Sequence, residues 1–402
     1  MAAPATLATR PTAPMSLLVS MMVASQVAIT IFLPSLPSMA EDLGTSQAAV
    51  QIIIPAYLGA FALAQLVIGP LSDAVGRRGP LLIGLAVFTA ASVACALAPN
   101  ITFLVVARIF QAIGGCVSIV IARAIIRDTT DGAASTKAMA YLGMALGVTP
   151  AVAPLIGGQL EVAFGWQSSF LATAIFGAGV TFASFFKLQE TLLPGDRVTT
   201  RTIDLARTYV RLVRMPIFVG YALNLGFTGA AFQAFIAGAP VAFIVIMGVP
   251  PQALGYYIVS VALAYVVGNY ASSQLSFKVD RNTMIWIGCS LTIGGTGISA
   301  LLALTGLATP INLMIPLTIY SIGSGFVAPN ALSGGLVAVE PANAGAAAAL
   351  SGFAQMGCGF ISTLIIAGLV QTSFLQVGAL MTASVTISWL FFVVLVVRRG
   401  RP

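Results

Sequence analysis

The 402-residue sequence has no histidine, and Asp, Glu, Lys and Arg together make only 7% of it. Inside its long apolar runs there is no carboxylate at all. General acid–base and hydrolytic metal chemistry therefore have no residues to work with in those runs, so neither an enzyme nor a cofactor or metal site is expected. A hydrophobic content of 58% with mean hydropathy +1.01 excludes an ordinary soluble globular protein. Cysteine is also scarce. Cys95, Cys116, Cys289 and Cys358 lie in apolar runs without paired spacing, which suits packing residues better than a disulfide framework or a metal site.

What is present is a series of apolar runs of about the 20 residues that span a bilayer. They lie at 16–39, 48–68, 80–98, 101–126, 138–160, 167–186, 216–247, 253–274, 284–305, 310–336, 345–370 and 377–397. Continuous runs lack the alternation of a lipid-facing barrel strand, so the expectation is an all-α membrane protein of about twelve helices. The first run follows the short leader Met1–Pro14 and passes the length of a signal-peptide core without a small-residue cleavage site, so it reads as a retained helix. The 40 glycines and 21 prolines, many inside the runs, allow close helix contact and local unwinding, although ordinary tight packing accounts for many of them.

The basic residues fall at alternate turns and at the two ends: Arg10, Arg77, Arg78, Arg127, Lys137, Lys187, Lys278, Arg281, Arg398, Arg399 and Arg401, with five more between 197 and 214. The intervening turns at 40–47, 99–100, 161–166, 248–252, 306–309 and 371–376 have no Lys or Arg. By the positive-inside rule both termini are cytoplasmic and the helix count is even. Arg123, near the inner end of its run, can extend to that side. The net charge of +7 is then explained by orientation and contact with anionic membrane lipid, not by nucleic acid.

The polar stretch from Gln189 to Arg214 divides the runs six and six, giving an N-terminal half at 1–188, a cytoplasmic linker at 189–214 and a C-terminal half at 215–402. Thr202 to Arg214 reads either as a basic amphipathic helix on the inner membrane surface or as a loosely ordered linker. Two six-helix halves are the plan of a transporter built from parallel repeats. The residue-level echo is faint; the clearest is Phe277-Lys278-Val279-Asp280-Arg281, placed after helix eight as Gly69–Arg78 is after helix two.

That inner turn, Gly69-Pro70-Leu71-Ser72-Asp73-Ala74-Val75-Gly76-Arg77-Arg78, combines glycines for a tight turn with an acid and two arginines at helix ends. It resembles the inner-loop signature of the major facilitator superfamily, G-x-L-x-D-x-x-G-R-[KR]. The resemblance implies a twelve-helix major facilitator fold and a gate in which Asp73 and Arg77 hold the halves together on the inner side, with Arg77 paired to an acid at the inner end of helix four, the position of Asp128. Arg108-Ile109-Phe110-Gln111-Ala112 and Ala153-Pro154-Leu155-Ile156-Gly157-Gly158 resemble the helix-four signature and the helix-five "antiporter" motif. Leu33-Pro34-Ser35-Leu36-Pro37, Gly165-Trp166-Gln167, Ala239-Pro240, Gly255-Tyr256-Tyr257 and Pro329-Asn330-Ala331 resemble the bicyclomycin/chloramphenicol-resistance (Bcr/CflA) type of drug exporter. The gating set is thus Gly69, Asp73, Gly76, Arg77, Arg78, Asp128, Pro154, Gly157 and Gly158.

One departure bears on energy coupling. Where that subfamily reads Ile-Asp-x-Tyr-Leu-Pro, this chain has Ile29-Thr30-Ile31-Phe32-Leu33-Pro34, and Thr30 cannot titrate. Among the remaining acids Glu161, just beyond the helix-five motif, is the first substitute to consider, against the plainer reading of a solvated loop acid. Arg108 stands about 10 Å inside its helix at 1.5 Å per residue. It is either a latch on neighbouring carbonyls or a cation facing the cavity; in the second case neutral or anionic substrates are favoured over lipophilic cations.

The family's cavity-lining pattern implies Gln26, Thr30, Tyr57, Arg108, Gln111, Asn224, Phe227, Gln233, Asn330 and Gln355 as the substrate-binding set, with Gln51 and Phe232 beside them, each equally explicable as a packing contact. The function implied is export of small amphiphilic compounds or drugs by alternating access, with proton antiport, from a bacterial inner membrane and as a monomer. The alternatives are an uncoupled exporter or exchanger of an endogenous metabolite and a non-transporting membrane sensor.

Overall fold

The computed structural model describes residues 13–130, 132–193, 195, 197, 202–276, 278–340, 343–369 and 372–399. Arg10, Asp131, Asp196, Arg201, Phe277 and Arg401 lie outside them. Among the described residues twelve helices are long and apolar enough to cross a membrane: α1 (Met15–Asp42), α2 (Gln47–Val75), α3 (Arg78–Ala96), α4 (Ile101–Thr129), α5 (Lys137–Phe164), α6 (Gln167–Lys187), α7 (Pro216–Ile246), α8 (Pro251–Leu275), α9 (Arg281–Leu304), α10 (Pro310–Val337), α11 (Ala344–Gly368) and α12 (Leu375–Val397). The helix satisfies every backbone group within the segment, which an apolar run in hydrocarbon requires.

The ends and breaks follow local chemistry. Asn100 Oδ1 accepts from Phe103 N at 2.9 Å and Thr309 Oγ1 from Asn312 N at 3.2 Å, capping α4 and α10. Asp280 does the same for α9, accepting from Asn282 N at 3.0 Å and Thr283 N at 3.2 Å. Bonds from the Thr283 hydroxyl and backbone hold its carboxyl below the ordinary value. Pro216, Pro251 and Pro310 open α7, α8 and α10, where a missing N–H costs nothing. α1 breaks after Thr30, turns through the short 3-10 segment Leu33–Ser35 and resumes as Leu36–Asp42, because Pro34 and Pro37 cannot continue its hydrogen-bond ladder. α7 widens into a π-helical turn at Pro240–Ile246. α5 runs to Phe164, past the apolar run, so Glu161 sits in its last turn instead of in the loop beyond.

The repeat that was faint in the residues is plain in the packing. In the first half α1 packs on α4, α5 and α6, α2 on α4, and α3 on α4 and α6. In the second, α7 packs on α10, α11 and α12, α8 on α10, and α9 on α10 and α12. Each pairing recurs six helices later, as parallel repeats demand. Glycines serve equivalent joints: a Cβ on Gly114 would stand 2.5 Å from the Gly84 carbonyl oxygen, and one on Gly323 2.7 Å from that of Gly288, so α3/α4 and α9/α10 approach at backbone distance.

The halves meet along α2–α11 and α5–α8, pairings related by the same step of six. At the end away from Arg77 and Arg127, residues of both halves, among them Met39, Val50, Phe243, Leu254 and Phe374, are fully buried in one apolar cluster. There Gln51 Nε2 donates to the Ala237 carbonyl at 3.3 Å, and this end is sealed across the halves. At the opposite, basic end lies the connecting helix Thr202–Val213. Tyr209 Oη donates to the Leu66 carbonyl of α2 at 3.0 Å, Leu212 is buried against Phe218, Val339 and Ala347, and Arg211 lies 3.9 Å from Glu340. The segment is helical and amphipathic, but it spends part of its apolar side on the protein, leaving Val210 and Val213 exposed.

Candidate functional site

At the basic end the turn between α2 and α3 converges on one guanidinium. Gly76 has φ +107°, a conformation open to glycine, and it turns the chain so that Arg77 points inward. Arg77 is only 2% exposed. Its Nη1 lies 2.6 Å from Asp73 Oδ1 and 2.7 Å from Ser72 Oγ, and its Nε lies 2.8 Å from Asp128 Oδ2. Burial by itself would lower its pKa; hydrogen bonds and charge from Asp128 and Asp73 outweigh that and raise it. Arg127 adds longer contacts, 3.7 Å to Asp73 and 3.8 Å to Asp128. Gly69 faces Val120 of α4, and its carbonyl accepts from Ser72 Oγ at 2.9 Å.

A residue not chosen from the sequence completes this cluster. Glu190 accepts from the backbone N–H groups of Arg77 at 2.9 Å, Arg78 at 3.2 Å and Leu192 at 3.0 Å, so a carboxylate closes the positive N-terminus of α3. Arg78 reciprocates, donating from Nε to the Leu188 carbonyl at 2.8 Å and from Nη2 to Phe185 at 2.9 Å, at the negative C-terminus of α6. Nothing in the local sequence marks Glu190, because its partners are backbone groups, those of Arg77 and Arg78 more than a hundred residues away.

The cavity candidates divide by where they point. Arg108, 1% exposed, lies inside the first half. Its Nη1 donates to the Ala28 carbonyl at 2.7 Å and to Gln111 Oε1, and its guanidinium stands over the rings of Phe32, Tyr57 and Phe170 at 4.5, 4.4 and 5.9 Å. Gln111 passes the chain on to Ser92 Oγ at 2.8 Å, and Tyr57 Oη donates to the Ser25 carbonyl at 3.3 Å. Arg108, Gln111 and Tyr57 are therefore brought together as an interior latch of α1, α2, α4 and α6. Asn224 is likewise inside the second half, donating to Ser388 Oγ at 2.9 Å. Asn330 donates to Ser272 Oγ at 2.8 Å and to the Phe326 carbonyl at 2.8 Å. Phe227 stacks on Phe391 of α12, centroids 5.8 Å apart.

Like Phe227 and Asn330, three further candidates are half-buried. Gln233 lies beside Gly359 of α11 and Gln355 beside Gly229 of α7, a reciprocal pair next to the α2–α11 seam, where Phe360 covers Gly59 and Leu58 approaches Gly359. Gln26 of α1 is also half-buried. Thr30 is 2% exposed and its hydroxyl has no partner among the described residues. On α5, Pro154 precedes two glycines used on different sides. Gly157 abuts the Ile31 carbonyl at the break in α1, and a Cβ on Gly158 would lie 2.9 Å from Gln252 Cα of α8. One turn on, Glu161 Oε1 accepts from Ser38 Oγ at 2.6 Å while Oε2 is buried without a partner among the described residues.

The sequence profile described as Major Facilitator Superfamily matches residues 18–363. The chain belongs to the major facilitator superfamily. It is 32% identical over 369 residues to the uncharacterized MFS-type transporter YdgK of Bacillus subtilis, covering 90% of both chains. It is 30% identical to multidrug resistance protein D of Escherichia coli, over 96% of this chain and 97% of that one. A bicyclomycin resistance protein homolog of Haemophilus influenzae is 25% identical over 90% and 91%. In fold it is similar to a crystal structure of a bacterial homolog of the human lysosomal transporter Spinster, with TM-score 0.67 and 14% identity over 95% and 94% of the chains. This major facilitator protein is a multi-pass membrane protein of two six-helix halves. Its superfamily signature at 69–78 is built into an ion-pair cluster at one end of the seam between them.

Proposed function

We propose that this protein exports small amphiphilic compounds, drugs among them, by alternating access. The observation that carries the reading is the asymmetry of the seam: one end is sealed by apolar residues of both halves, while at the other the ion pairs of Arg77 with Asp73 and Asp128 stay within the first half and polar contacts of the connecting helix, Tyr209 to Leu66 and Arg211 to Glu340, reach the two halves. Polar contacts exchange for water at lower cost than a packed apolar cluster, so the two ends are suited to open by turns. The names of the multidrug-resistance and bicyclomycin-resistance relatives support drugs as cargo. In this reading Gly69, Gly76, Arg78 and Glu190 shape the gate, and Pro154, Gly157 and Gly158 form the joint on which α5 moves. Gln26, Gln233 and Gln355 are the polar anchors nearest the path.

The basic end faces the cytoplasm of a bacterial inner membrane with both termini inside, its linker against anionic lipid, and the protein works as a monomer. Driving by proton antiport fits the family. With Thr30 at the usual acid position, Glu161, one oxygen paired and the other buried, is the carboxyl placed to exchange a proton. The test is efflux of a drug panel from proteoliposomes with and without an imposed pH gradient, comparing wild type, Glu161→Gln and Thr30→Asp. Gradient-driven export lost in Glu161→Gln supports coupling. Export indifferent to the gradient in wild type removes it, and no export of any compound removes the exporter reading.

A further inference from the structure

Arg123 is a basic residue inside a membrane-spanning helix that neither the gate nor the interior latch absorbs. It lies six residues before the end of α4 (Ile101–Thr129), about 9 Å within the helix, and its side chain is exposed. On a helix it shares a stripe with Cys116, Val120 and Arg127. Val120 faces Gly69 of α2, and Arg127 reaches Asp73 and stands beside Gly345 at the start of α11. The stripe therefore looks into the seam between the halves and away from the exposed Phe103, Val106 and Phe110, the apolar face of α4.

Among the described residues no carboxylate forms an ion pair with this charge. Asp73 and Asp128 are engaged by Arg77. Across the seam Gly345 and Gly352, which abut Arg127 and Gln65, bracket Ala348 and Ala349 on one face of α11, so the opposing wall is small and apolar. A solvated guanidinium between low-dielectric walls focuses its field into the space before it and offers a planar fork for a compact oxyanion.

Resting on the export reading above, we propose that Arg123 is the charge-selecting anchor of the substrate path, and that the preferred cargo is an apolar body with a carboxylate, sulfonate or phosphate head. Arg108, enclosed by three rings, cannot take that part in this arrangement.

The test uses one dansyl fluorophore on the same alkyl arm with a sulfonate, a hydroxyl or a trimethylammonium head. Binding is read by anisotropy on purified protein in phosphatidylcholine nanodiscs, and export is read in phosphatidylcholine proteoliposomes. The sulfonate should bind wild type at least about tenfold more tightly than the ammonium. Arg123→Gln should bring the two within about threefold through the sulfonate alone, and Arg123→Lys should keep most of the preference. Equal binding of the two by wild type, a preference that survives Arg123→Gln, or a loss in Arg123→Lys as complete as in Arg123→Gln overturns the inference. Selective binding by wild type without export of any probe leaves the inference standing and removes the export reading.

Discussion

Arg77 and Arg108 are equally buried, yet their surroundings set opposite expectations for losing them. Arg77 answers two carboxylates, so Arg77→Met strands Asp73 and Asp128 and should cost about 3–5 kcal/mol, the range for breaking a buried pair from one side. Arg108 answers a carbonyl, a carboxamide and three ring faces. Arg108→Met removes a charge and leaves two neutral acceptors, which should cost about 1–3 kcal/mol. Thermal unfolding of both variants in the same detergent checks the order, and a larger loss for Arg108→Met would show that the latch outranks the gate. The pH response follows the same geometry. Arg77's folded pKa lies above its ordinary value, so its contribution is full below the unfolded pKa and is lost only as pH rises through the folded one. Both are far above neutrality, and the stability difference between wild type and Arg77→Met should stay flat between about pH 6 and 9.

Among the elements, α5 makes close backbone contacts on two sides, with α1 in its own half and with α8 across the seam. A side chain at Gly157 meets the Ile31 carbonyl, and one at Gly158 meets the backbone of α8; neither obstacle is a flexible side-chain tip. Gly158→Val should wedge α5 from α8 near the sealed end and abolish transport, whereas Gly143→Val, at a glycine with open space around it, should leave transport within about twofold of wild type, a surface change. Efflux rates normalised to folded protein decide between them. How much of this was legible beforehand differs by element. The twelve helices were, because an apolar run in a membrane has one way to satisfy its backbone. The turn at 69–78 was, because an acid, a glycine and two arginines between apolar runs stand out. The facing of Gln111, Asn224 or Arg108 was not: lipid and protein interior are both apolar, so a helix carries little periodic signal of which side meets its partner. Glu190 was invisible for a different reason, since a carboxylate bound to backbone N–H groups needs no partner type in the sequence.

For the whole molecule, the step of six that relates every main pairing also relates the two seams, α2–α11 and α5–α8, so the halves can rock about an axis through both without breaking either half's own packing. Such motion must separate residues at the sealed end once per cycle. Gln51 and Ala237 are the marker, joined across the halves by a hydrogen bond of 3.3 Å. The four native cysteines are free and buried, so they can be replaced to give a background in which Gln51→Cys and Ala237→Cys are the only thiols. Each single variant should transport, because one lost hydrogen bond is worth about 1 kcal/mol. Joining the pair with a short bifunctional thiol reagent should stop transport while leaving substrate binding from the basic side intact, and reversing a cleavable link should restore it. A linked protein that still transports would mean that the sealed end never opens, which alternating access does not permit.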